Sequence, residues 1–318
     1  MSARRPSPAQ RGAALLSAML TVALVATLAA AGLWQQWRAV EVEGAERTRM
    51  QASWILTGAL DWGRLILIED AKSGGVDHLG EPWALPLQEA RLSSFLAADR
   101  QAAPEGSVVD EAFLSGSITD LQSRLNVNDL VEDGKPSEAG LRAFQRLFDV
   151  LGLPPTELEA LQSNLLRSRA AGARDPLAPL PALRMADLER LGLSPRTLQA
   201  LAPHATLLPA KTTVNLNTAS AQAIFAVIPG IGLADAQRMV TARQSAHFRN
   251  LSDALKLLDE GQGAVETPLA ATASQFFEIR GRVRLDRAIV EERSVVQRQN
   301  TSVRTLWREA SASTAPPR

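Results

Sequence analysis

The residues with the clearest chemical potential are VNLNTASAQAIFAVIPGIGLADAQRMVTAR, 214–243, where Pro229, Gly230, Ile231 and Gly232 read as the turn of a helix-hairpin-helix. Such a turn can present backbone N–H groups at a helix N-terminus to a phosphate, and adjacent cations strengthen that contact. Here Ala234 and Asp235 follow the turn, and residues 205–260 carry five Lys or Arg against four Asp or Glu. A phosphate clamp normally shows a basic face, because neutralised phosphates supply most of its affinity. The sequence therefore favours a structural turn, in which glycines allow positive φ and close helix approach. Asn217 or Thr218 is expected to cap its first helix. A weaker echo at 185–201, MADLERLGLSPRTLQAL, predicts a second hairpin beside it.

Other chemistry finds little support. His78, His204 and His247 lie far apart in the chain and show no metal-ligand spacing. Asp129, Glu132 and Asp133 form a small acidic group that could attract calcium, without the spacing of an EF-hand. There is no nucleophile elbow, Walker loop or dinucleotide fingerprint. Absence of cysteine removes disulfides and thiolate chemistry, so no catalytic residue, cofactor or metal ligand is expected. Lys plus Arg and Asp plus Glu both number 34, which leaves no overall charge to attract nucleic acid.

The elements that carry these residues begin with an apolar stretch. Ala13 to Trp34 holds 22 residues without a charge, which as a helix measures roughly 33 Å and crosses a bilayer core. Arg4, Arg5 and Arg11 precede it, so residues 1–12 are expected in the cytoplasm and the rest beyond the membrane. A secretory signal cut near Ala29–Gly32 is the alternative. Helix-like recurrence through Trp54, Leu56, Leu60, Leu65, Ile66 and Leu67, with no proline, favours one long helix half in lipid and half out. Gly74, Gly75, Pro82 and Pro86 end it and open an extended connection. Residues 111–128 read as one or two short strands. Short amphipathic helices separated by Pro and Gly follow, and alternation returns from Ser274 with a hairpin near Gln299-Asn300. The predicted architecture is α+β: a long N-terminal helix and a small antiparallel sheet, 37–129 plus 263–309, interrupted by an all-α domain at 130–262. The tail, 310–318, is expected to be disordered. The Arg280, Arg282 and Arg284 alternation places cations along one sheet face, either solvated or docking a partner.

Arg11-Gly12 followed by Ala13-Ala14-Leu15-Leu16 resembles a type IV prepilin leader. DAKSGGVDHLGEPWALPL (70–87), GSITDLQSRLNVNDLV (116–131) and VNLNTAS (214–220) resemble, in order and spacing, the type II secretion minor pseudopilin family called general secretion pathway protein K. The resemblance implies a leader at 1–12, cleavage by prepilin peptidase between Gly12 and Ala13, methylation of the new amine, and a stem helix at 13–36. It also implies partnership with minor pseudopilins I and J, and a non-catalytic role at the tip of the pseudopilus. The protein would sit in the inner membrane with a periplasmic body. Most such proteins carry glutamate at the fifth mature position, where this chain has Ser17, and that departure suits a subunit added first. The family commonly binds calcium through an acidic loop. The corresponding region, 161–184, has Asp175 as its one acid among four arginines, so calcium binding is expected to be lost. The reading from another class is a membrane-anchored helix-hairpin-helix protein that binds DNA on the outer face.

Overall fold

The computed structural model describes residues 8–94, 112–170, 177–258 and 267–314. Helix α1 runs unbroken over Pro8–Ser73. Its first half contains no proline after the start and stands exposed, while its second half turns Ala52, Leu56, Leu60 and Leu67 to a sheet. Spacings of four and seven put these side chains on one helix face.

The sheet has five antiparallel strands in the order β1 (Leu87–Arg91), β2 (Ala112–Asp120), β3 (Phe276–Leu285), β4 (Ala288–Gln299) and β5 (Ser302–Thr314). Strand β2 therefore pairs across a long sequence gap with β3, Ile118 opposite Ile279 and Gly116 opposite Gly281. Leu56, Leu60, Phe277, Ile279 and Val283 form the core between α1 and this sheet. The helix crosses closely because Gly281 has no side chain: a Cβ there would stand 2.6 Å from Leu56 Cδ1. The outer face carries the basic alternation, but each arginine meets a carboxylate: Arg280 and Arg293 share Glu278, Arg282 faces Glu291, and Arg284 holds Glu89. The stripe is a cross-strand charge lattice rather than a bare cationic face.

A second core belongs to the helices α2 (Glu138–Leu151), α3 (Pro155–Ala170), α4 (Pro195–Leu201), α5 (Ala221–Val227), α6 (Leu233–Ser245) and α7 (Leu251–Leu255). Phe144, Leu147, Phe148, Leu161, Leu188, Ile224 and Ile228 fill it. It is inserted between β2 and β3, so the chain is α+β with an all-α insertion.

Three boundaries differ from the sequence reading. Leu125, Val127 and Leu130 belong to the helical core, and Leu125-Asn126 pairs in parallel with Ala205-Thr206, so the insertion opens before residue 130. It also closes after 262, because Ala270-Ala271 pairs with Val214-Asn215. Two-residue pairings carry no periodicity to read. Finally, β5 continues to Thr314, opposite Ala288. Residues 310–314 therefore belong to the sheet rather than to a disordered tail, since the backbone ladder needs no apolar side chains. The expected hairpin is present, with Asn300 at φ 51° between β4 and β5.

Candidate functional site

Gly12, Ala13 and Ser17 all lie in the first turns of α1. An 18-residue window of this helix has mean hydropathy 2.2 and no buried residue, long and apolar enough to cross a membrane. Its hydroxyls are satisfied within the helix: Ser17 donates to the Ala14 carbonyl at 2.9 Å, and Thr21 and Thr27 bond the carbonyls three residues back. No side-chain hydroxyl of this stretch is left bare to hydrocarbon. Ser17 has no carboxylate to offer a neighbouring amine.

The turn residues connect α5 to α6. Gly230 takes φ 81°, a left-handed value, while Ile231 is buried and Gly232 stands as N-cap of α6. The Gly232 N–H donates to Asp235 Oδ2 at 2.8 Å, and Arg238 pairs with the same carboxylate group at 2.7 Å. An anion of the chain itself thus occupies the place where a phosphate would meet the helix N-terminus. From behind, Arg146 donates to the carbonyls of Phe225 (2.6 Å), Ile228 (3.1 Å) and Ile231 (3.0 Å), with its guanidinium 4.1 Å from the Phe225 ring centroid. These contacts make the turn a fastening between α2 and the hairpin. The cap of α5 is Ser220, which accepts from the Ala223 N–H at 3.2 Å, rather than Asn217 or Thr218. Both of those are engaged elsewhere: Asn217 exchanges two hydrogen bonds with the Phe248 backbone, and Thr218 reaches Asp120.

Asp120 is the centre of the most connected polar cluster. It is fully buried at the end of β2, and its Oδ2 accepts from Thr218 Oγ1 (2.6 Å), Ser274 Oγ (2.7 Å) and Asn215 Nδ2 (3.1 Å). Its Oδ1 accepts the Gln122 N–H at 2.7 Å. Asn215 also donates to the Asp77 carbonyl, and Asp77 Oδ2 accepts the Ser274 N–H at 2.6 Å. Four segments meet here: the connection after α1, the end of β2, the strand before α5, and the approach to β3. Burial pushes the Asp120 carboxyl up to about 6; its three kinds of donor hold it down and Asp77 raises it again.

Beside this cluster, Asp70, Asp77 and Glu81 bring carboxylate oxygens within 4.8 Å of one another, a grouping that could hold a metal ion. Arg298 already lies among them, bonded to Asp70 Oδ2 at 2.6 Å and to Asp77, and Glu81 accepts from the Trp83 indole at 2.7 Å. Burial raises Asp70 and Asp77 above the ordinary carboxylate range despite Arg298. The acidic group noted at Asp129, Glu132 and Asp133 does not converge: Asp129 accepts the Thr212 N–H at 3.2 Å, and Glu132 pairs with Lys211. Asp175 lies outside the described residues. Of the histidines, the fold stacks His78 on His247 with ring centroids 3.8 Å apart, while His204 lies 3.1 Å from Ser220 Oγ.

Two family models, both described as "Type II secretion system (T2SS), protein K", match residues 123–210 and 214–274. The chain is 27% identical to the type II secretion system protein K of Pseudomonas aeruginosa, over 96% of this chain and 95% of that one. The corresponding Klebsiella pneumoniae protein is 26% identical over 94% and 96%. The chain is thus similar, over nearly its whole length, to the type II secretion system protein K family. It is similar in fold to a chain of a solved structure described as the GspK-GspI-GspJ complex from enterotoxigenic Escherichia coli, with TM-score 0.61, 15% identity, and 85% of this chain and 99% of that one covered. The resemblance and the α+β class expected from sequence both hold.

The similarity gives the polar cluster a sequence meaning. Asp77 comes from the first family-like stretch, Asp120 and Gln122 from the second, Asn215 and Thr218 from the third, and the fold brings all three to one point. Sequence reading recognised the stretches without finding that their polar residues touch. The roles of Arg146 and Arg298 were missed, because an arginine in a helix or strand carries no signal of the carbonyls or carboxylates it will meet.

Proposed function

We propose that this protein is a type II secretion system protein K, a single-pass inner-membrane protein with a periplasmic body, acting without catalysis at the tip of the type II secretion pseudopilus. Prepilin peptidase cuts after Gly12, and Ala13 becomes the methylated N-terminus. Minor pseudopilins I and J are its partners, as in the complex named for the fold neighbour, and the assembly primes or caps pseudopilus growth. One observation carries this reading: a wholly exposed, apolar helix long enough for a bilayer runs without a break into a packed α+β body. A disposable signal would have no reason to be continuous with the core it leaves. The missing glutamate at Ser17 and the bulky helical insertion suit a subunit that others follow rather than precede.

Intact mass and N-terminal sequencing of the protein from native membranes test this directly. A chain beginning at methylated Ala13 is expected, and Gly12→Val should leave Met1 in place. A start near Leu33, or an uncut wild-type chain, would overturn the pseudopilin reading. The same proposal includes no calcium requirement, since Arg298 already occupies Asp70 and Asp77 of the one carboxylate trio found among the described residues. Calcium and chelator should leave the melting temperature in place; a rise of several degrees with calcium would refute that part alone.

A further inference from the structure

Helix α1 leaves its apolar span through four residues whose chemistry changes in a set order. The hydrocarbon of a bilayer is about 30 Å thick and each headgroup layer adds about 6 Å. The 22 uncharged residues that end at Trp34 therefore bring the hydrocarbon boundary to that indole, and the headgroups surround the next turn of helix. Trp34, Trp37, Arg38 and Glu41 follow there at spacings of three, one and three, which puts them on one face of the unbroken helix. All four are exposed, Trp34 by 57% and Trp37 by 62%. The Arg38 guanidinium turns back along the helix and lies 5.0 Å from the Trp34 ring centroid. Helical side chains lean toward the N-terminus, so the charge is carried down to the boundary while its backbone stays above it. Farther along, the arginines meet an acid one turn before them: Arg47 pairs with Glu43 and Arg49 with Glu46. Arg38 has Trp34 in that place and its acid, Glu41, one turn later, and neither charge has an ion-pair partner among the described residues. Outward from the membrane, one face thus offers two indoles, a cation and an anion.

We propose that this face binds a zwitterionic phospholipid of the periplasmic leaflet, one whose headgroup joins a phosphate to a primary ammonium. Arg38 holds the phosphate, Glu41 the ammonium, and Trp34 and Trp37 cover the glycerol and the upper acyl chains. The inference rests on the single-pass reading above. What selects the lipid is the order and sign of the charges. A headgroup with a phosphate and no ammonium satisfies Arg38 but faces the Glu41 carboxylate with like charge. A quaternary ammonium carries no N–H to donate to that carboxylate. The indoles suit the boundary because their rings are apolar and their N–H groups reach the wet layer above. Holding one headgroup fixes the depth of the span, and residues 39–51, ahead of the first core residue Ala52, then set the body about 20 Å beyond the boundary layer.

The test uses the full-length chain from native membranes, placed in phosphatidylcholine nanodiscs that carry equal phosphatidylethanolamine and phosphatidylglycerol. Native mass spectrometry then counts the lipids that stay on the chain after gentle release. Wild type is expected to keep phosphatidylethanolamine over phosphatidylglycerol by about threefold, the effect of one exposed ion pair. Glu41→Gln should abolish that preference while lipid is still retained, and Arg38→Gln should lower retention of both lipids. Glu46→Gln, farther along the helix, should change neither. These side chains are exposed and lie outside both cores, so each variant folds as the wild type does. Equal retention of the two lipids by wild type, or an unchanged preference in Glu41→Gln, would overturn the headgroup site and leave the single-pass reading standing. A wild-type chain that alkaline carbonate strips from native membranes would overturn both.

Discussion

Asp120→Ala should cost the folded protein about 3 kcal/mol at pH 5, and measurably less at pH 8. The substitution removes the shared acceptor of Ser274, the Gln122 N–H, Asn215 and part-buried Thr218; Asn215 and Thr218 keep a second acceptor, while Ser274 Oγ and the Gln122 N–H lose theirs in a buried place that water does not reach. Each orphaned buried donor costs free energy of its own, so the loss exceeds that of one hydrogen bond. The pH dependence follows from the carboxyl itself. Desolvation raises it from 3.8 to about 6, and the donors only partly oppose that. Between those values the folded chain holds a proton that the unfolded chain has released. Its contribution to stability is therefore complete below about 4 and is lost as pH rises through about 6. Asp129, raised by burial to about 7, acts in the same direction. The wild type should thus be less stable at pH 8 than at pH 5 through these groups, and Asp120→Ala should remove Asp120's share of the difference. Urea unfolding of wild type and variant at both pH values measures it. An equal penalty at pH 5 and 8 would mean that the four donors outweigh desolvation and hold the carboxylate ionised throughout.

How far the sequence predicts this protein depends on which physical signal each element leaves. The long N-terminal helix was legible because its apolar and helix-like recurrence runs without a proline, and the sheet because Ile279, Val283 and Leu285 alternate with Arg280, Arg282 and Arg284. The helical insertion was legible from its period of 3.6, and its turn from Pro229 to Gly232. What the pattern could not carry is pairing between residues far apart in sequence. Leu125 beside Ala205, Val214 beside Ala270, and Asp77 beside Ser274 each join segments by one or two residues with no local repeat. Those same contacts set where the insertion begins and ends, which is why its edges were misplaced. The caps show the limit at smaller scale. Asn217, Thr218 and Ser220 are all good capping residues within four positions, and only the distant partners Phe248 and Asp120 decide that Ser220 takes the role.

Gly140→Ala offers a sharper trial of the insertion's packing, because two opposite effects of known size compete there. In a helix interior alanine is better than glycine by about 1 kcal/mol. At Gly140, however, a Cβ would stand 2.0 Å from the Asp129 carbonyl oxygen and 2.7 Å from its carbon, both backbone atoms that cannot rotate away. The first turn of α2 lies directly on the 127–130 turn, tied by the Ser137 N–H to the Leu130 carbonyl and by the Ser137 cap to the Gly140 N–H. Relieving the clash means lifting α2 from Leu130 and disturbing Phe144 and Leu147 in the core below. Such overpacking costs about 3 kcal/mol, so the clash should win and the melting temperature should fall by roughly 5–10 °C. Gly58→Ala is the matched control: its Cβ would meet nothing within 4 Å, and propensity alone should leave it at least as stable as wild type. If Gly140→Ala instead melts no lower than Gly58→Ala, α2 does not rest on the Asp129 backbone. If it falls as expected, the Asp129 loop is fixed by main-chain contact on one side and by Thr212 on the other, which makes its acidic residues part of the scaffold rather than a calcium loop.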